Sequence, residues 1–117
     1  MDRIMPLHIS RRRLAVLKTT LRIISPAIGS SHADEALASA LGFKTHASLL
    51  AALADRANGE LELTFTEDRM MSRLHELGYA FTPDILRRFS HLIREAVEEE
   101  SIILLRDAAS KVANDNG

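Results

Sequence analysis

The sequence predicts a mainly α fold: a compact bundle of four to five helices in a single domain over 1–117, with a helix-turn-helix-like hairpin, one short extended strand near 61–65 and a long C-terminal helix. Three observations carry this. SHADEALASALGFKTHASLLAAL, from Ser31 to Leu53, spells two short amphipathic segments around Gly42. Large apolar residues elsewhere recur at spacings of three and four, and only beyond Gly59 does the period fall to two. With 117 residues, 46% of them hydrophobic and 26% charged, the chain can bury one modest core and not two.

The first nine residues, 1–9, read as an N-terminal arm, after which Ser10 is placed to cap a helix running to Ile24. Leu14, Leu17, Leu21 and Ile24 form its inner stripe, and Ser25-Pro26 stops it. Ser31, with Asp34 three residues on, suggests a capping-box-like start to a second helix, the acid also meeting the helix dipole. The inner face of that helix is Ala33, Ala36, Leu37, Ala40 and Leu41, small enough to admit a close neighbour. Thr45 caps a third helix with Leu49, Leu50, Leu53 and Ala54 inward, and Asn58-Gly59 ends it through a left-handed turn.

Leu61, Leu63 and Phe65 then alternate with Glu60, Glu62 and Thr64, as in a half-buried strand. A strand needs a partner, and the candidates are Leu7 and Ile9, the same strand of a second copy, or Tyr79 and Phe81. Thr64 or Thr66 caps a fourth helix carrying Met70, Met71, Leu74 and Leu77, closed by Gly78. Thr82-Pro83-Asp84 restarts a helix with Thr as N-cap and Pro at the first helical position. The helical pattern continues to about Val112, with a bend or break between Glu98 and Ser101 left open, and 113–117 forms a polar, frayed tail. Ile102, Ile103, Leu104 and Leu105 are apolar around most of the helix and require cover on more than one side. With Phe89, Leu92 and Ile93 they form an expected oligomer interface, and the chain is expected to be a homodimer.

Charge is unevenly spread. Residues 1–25 hold Arg3, Arg11, Arg12, Arg13, Lys18 and Arg22 against Asp2 alone, about +5, whereas the whole chain is −1. Such a segment can meet phosphate, the chain's own acids at Glu98 to Glu100, or solvent. With no cysteine there is no disulfide framework and no thiolate chemistry, which suits a reducing compartment. MDRIMPLHISRRR has no apolar stretch behind its positive charges, and no run is long enough to span a bilayer, so the expectation is a cytoplasmic protein with no membrane partner.

Ala38 and Gly42 have the spacing of a DNA-binding helix-turn-helix, in which a small residue precedes the turn glycine by four. The second helix fits less well. Ser48 takes the expected inward apolar position, and THASLLAALADRA offers base edges only Thr45, His46 and Ser48 near its start, with Arg56 late. Nucleic-acid contact would therefore draw on Arg11, Arg12, Arg13, Lys18 and Arg22 for phosphates, with Lys44, Thr45 and His46 near the groove.

In order, LKTTLR, SHADEALASALGFKTHASLLAAL, GELELTF and RLHELGYAF resemble the small helical glyoxalase-related protein domain of bacterial proteins, over roughly residues 14 to 81. The resemblance implies an arrangement of helices and no catalytic residues: a glyoxalase site needs His and Glu holding a metal across β-strands, and this chain offers no such framework.

Catalytic chemistry has little else to draw on. His75 beside Glu76, and His91 with Glu95 at i, i+4, read as surface pairs with no third ligand. Ser30, Ser31 and His32 are adjacent, a poor arrangement for a nucleophile and its base. No phosphate loop or dinucleotide fingerprint is present. The expectation is a non-enzymatic binding protein without cofactor, self-associating and contacting a protein partner through its C-terminal helix. The alternative is a dimeric DNA-binding regulator using its basic N-terminal helix.

Overall fold

A computed structural model describes residues 4–98. In chain order the elements are β1 (Ile4–Ile9), α1 (Arg11–Ile24), α2 (Ser30–Ala40), α3 (His46–Ala54), β2 (Leu61–Thr66) and α4 (Glu67–Glu76), followed by a helix over 83–98, α5. The fold is mainly helical, with one two-stranded antiparallel sheet. The expectations for 102–105, for the tail 113–117 and for a bend between Glu98 and Ser101 lie outside the described residues.

Helix α2 is the hub, packing on α1, α3, α4 and β2. Its composition explains this. Ala33, Ala36, Leu37, Ala38 and Ala40 are all buried, so the helix has a broad apolar face, and its methyl side chains let several neighbours approach closely. Gly42 then turns the chain toward α3. At φ +93° it closes a Schellman motif in which the Phe43 N–H donates to Ala38 O (2.9 Å) and the Gly42 N–H to Ser39 O (3.1 Å). Gly78 repeats the device after α4, with the Tyr79 N–H donating to Leu74 O at 2.9 Å.

The start of α2 departs from the sequence expectation. The N-cap is Gly29, which has no side chain to offer, and the helix begins at Ser30. The Tyr79 hydroxyl, from the far side of α4, accepts the Gly29 N–H at 3.1 Å and lies 2.7 Å from His32 Nδ1. Asp34 is turned away from the helix start to Lys18, 3.0 Å distant. Thr45 does cap α3, and its capping-box partner is Ser48, which is exposed rather than inward.

The N-terminal arm is a strand. Met5, Leu7 and Ile9 stand opposite Phe65, Leu63 and Leu61, one face of the pair turned to the core, where Leu7, Ile9 and Phe65 are buried. Of the three candidate partners for the 61–65 strand, the chain's own Leu7 and Ile9 provide it. Helix α5 closes the other side: Leu86, Phe89, Ser90 and Ile93, spaced at three, one and three, are buried, with the Phe89 ring 5.9 Å from that of Phe65. Phe89 and Ile93 are thus spent inside the chain's own core rather than on an oligomer surface, and Leu92 is half-buried beside them. Ser90 Oγ donates to Glu67 Oε1 at 2.6 Å, tying α5 to the first turn of α4.

Candidate nucleic-acid interface

Sheet register brings three exposed arginines together. Because Ile9 pairs with Leu61, the residues that follow β1 and precede β2 must lie side by side: Ser10 to Arg12 on one chain segment, Arg56 to Gly59 on the other. Between them runs an open groove of 520 Å³, whose polar lining includes Arg11, Arg12, Arg56 and Asn58, with Leu53 at its floor. The guanidiniums of Arg11, Arg12 and Arg56 are exposed and have no hydrogen bond or ion pair among the described residues. Asp55 and Glu60 flank the segment in sequence but do not line the groove. Asn58 Oδ1 is occupied with the Glu60 N–H (3.1 Å), and Gly59 N–H with Arg56 O (3.0 Å), which holds the turn that carries Arg56.

The other basic side chains of α1 are engaged within the fold. Arg13 reaches back to His8 O at 2.9 Å, and Arg22 Nε donates to Ile28 O at 3.3 Å. Lys18 is paired with Asp34, both carboxylate and ammonium partly shielded from water. A second, smaller groove of 240 Å³ lies between α1 and α3, with Arg11, Lys18, Asp34 and His46 on its walls, so α1 does lie beside the start of α3. That start is acidic. Glu35 Oε2 accepts the His46 N–H at 3.3 Å, and Asp34 Oδ2 is 4.0 Å from His46 Nε2. His46 Nδ1 is buried with no hydrogen-bond partner among the described residues. Thr45 is committed to Ser48, and Lys44 is exposed.

Of the residues the sequence singled out for nucleic acid, the structure therefore brings Arg11, Lys18 and His46 to one groove and Arg11 and Arg12 to another, while Arg22 stands at the far end of α1. Arg56 is the member that sequence reasoning left aside. Its signal was indirect: once Ile9 is opposite Leu61, Arg56 must come near the start of α1.

The histidines considered for chemistry have structural partners. His75 Nε2 donates to Phe81 O at 2.8 Å, which fixes the chain between α4 and α5, and His91 Nε2 is 3.1 Å from Glu95 Oε1 on an exposed helix face. Among the described residues no group of three His, Cys, Asp or Glu side chains converges as a metal site, and no helix is long and apolar enough to cross a membrane. Comparison of the chain with protein-family models, curated proteins and solved structures gave no match, and none bears on the glyoxalase-related resemblance.

Proposed function

We propose that this chain is a non-enzymatic binding protein that contacts the phosphates of duplex DNA through Arg11, Arg12 and Arg56. The observation that carries the reading is the groove: three exposed guanidiniums, none of them paired among the described residues, around a concavity that no carboxylate lines. A guanidinium presents a planar fork of donors that matches phosphate oxygens two at a time, and three of them in one groove concentrate a positive field that the chain's net charge of −1 hides. An anionic membrane surface fits the groove less well. Among the described residues the exposed large apolar side chains, Ile4, Val16 and Ile23, do not line it and so do not insert beside the arginines.

Self-association and contact with a protein partner through the C-terminal helix is the other reading. It draws on Ile102 to Leu105, outside the described residues, and has lost Phe89 and Ile93 to the core. The DNA reading is tested by fluorescence anisotropy with a short labelled duplex at about 50 mM salt. Each phosphate contact contributes about tenfold to affinity under such conditions through counterion release. Arg12→Ala and Arg56→Ala are each expected to weaken binding by about that factor, whereas Arg88→Ala, on the exposed face of α5, leaves it unchanged. Equal effects at all three positions would point to diffuse charge and overturn the assignment to the groove.

A further inference from the structure

We infer that duplex DNA held by this protein is gripped by its backbone alone, without reading of sequence, because the chain's own carboxylates close the hairpin edge that would otherwise reach the bases. The inference rests on the proposed arginine groove and concerns how that groove is used. In a DNA-reading helix-turn-helix the second helix presents the side chains and backbone of its N-terminal turn to base edges in the major groove. Here that turn is the start of α3, where the His46 and Ser48 amides are engaged and the His46 ring faces an acid.

The first helical amide, that of His46, is taken by Glu35 Oε2 at 3.3 Å. The Thr45 hydroxyl accepts the Ser48 N–H at 3.1 Å and lies 3.1 Å from the Ser48 hydroxyl, so both capping side chains are turned to each other. The His46 ring faces Asp34 (4.0 Å from Nε2), and the same carboxylate holds Lys18 at 3.0 Å. Two carboxylates from α2 therefore stand where a phosphate or an acceptor-rich base edge would have to approach, and Lys18, the cation in contact with Asp34, is already paired. Like charges brought together across an interface are costly and act against binding in that orientation. Arg12 and Arg56 lie away from this edge, and Arg11 stands between the two grooves. Ser10 to Arg12 and Arg56 to Gly59 line a groove at the opposite end of α3, beside its C-terminal turn, where no long polar side chain other than the arginines and Asn58 is presented.

A panel of labelled duplexes of equal length and different sequence, measured by anisotropy with the full chain, is expected to bind within about threefold of one another. Lys44→Ala and His46→Ala leave those affinities unchanged. Asp34→Asn with Glu35→Gln is the sharper test. The amide oxygen introduced by Glu35→Gln retains an acceptor for the His46 N–H, so the helix start survives, while Lys18 loses its charged partner. Affinity is expected to rise at least threefold, and the slope of log K against log salt to steepen by about one. Circular dichroism and a thermal melt confirm that the variant is folded. A preference above tenfold for one duplex that His46→Ala abolishes, or a double variant that binds no better, would overturn the inference. Failure of the folded wild-type chain to bind any duplex would instead remove the phosphate-binding reading on which the inference stands.

Discussion

Replacing Phe89 by alanine removes a side chain that is fully buried and whose ring sits 5.9 Å from that of Phe65, tilted at 49°. Truncating a buried phenylalanine costs about 3–5 kcal/mol, combining the lost transfer of its ring from water with the cavity left behind. Within that figure the aromatic pair accounts for roughly 0.5–1.5 kcal/mol. A domain of this size is stable by only about 5–15 kcal/mol, so Phe89→Ala is expected to leave the chain near its folding limit. Phe89→Leu keeps most of the volume and gives up the ring pair, with an expected loss of about 1–1.5 kcal/mol. Urea unfolding followed by far-ultraviolet circular dichroism measures both, at two protein concentrations about 100-fold apart. The core placement of α5 predicts the same losses at either concentration. If Phe89 instead lay on an oligomer face, the midpoint would move with concentration in the wild type and Phe89→Ala would spare the monomer; a concentration-independent loss below about 1 kcal/mol would refute the packing argument as well.

Two other buried or half-buried polar contacts give expected outcomes. Ser90→Ala strands the Glu67 carboxylate, only 8% exposed and with Ser90 Oγ 2.6 Å away, and should cost about 1.5–3 kcal/mol in the same unfolding assay. Changing both partners to apolar residues, Ser90→Ala with Glu67→Met, should cost less than Ser90→Ala alone, and the reverse order would show that Ser90 is not what satisfies the acid. Tyr79→Phe removes the hydroxyl that serves the Gly29 N–H and the His32 ring, for an expected loss of about 1 kcal/mol and faster amide exchange at Gly29. Unchanged exchange there would mean that the start of α2 is held without Tyr79.

The hub and its exits are legible because they depend on local chemistry. An alanine-rich helix followed by Gly42 and an apolar residue needs only backbone geometry to end in a Schellman turn, and Thr45 needs only its neighbour Ser48 to cap α3. The start of α2 is different. Ser31 and Asp34 have the right spacing for a cap, but a hydroxyl fifty residues along the chain serves Gly29 and a lysine from α1 claims Asp34. Distant partners leave no trace in a local pattern. Helix α5 shows another limit, since an apolar stripe on a helix looks the same whether it meets the core or a second copy. Phe89 and Ile93 meet the core because β2 brings Phe65 beneath them. For the site, Arg11 and Arg12 stand out by charge alone. Arg56 requires the strand register, in which Ile9 opposite Leu61 decides what becomes its neighbour.

Counterion release makes the arginine groove measurable without knowledge of any cognate sequence. Three phosphate contacts should give a slope of log K against log salt of about −2.7, or about a 40-fold fall in affinity between 50 and 200 mM salt. The variant Arg11→Ala, Arg12→Ala, Arg56→Ala should bring that slope close to zero while the protein stays folded, since all three side chains are exposed and unpaired among the described residues. A wild-type chain that fails to bind at low salt, or a triple variant that keeps the wild-type slope, would contradict the account.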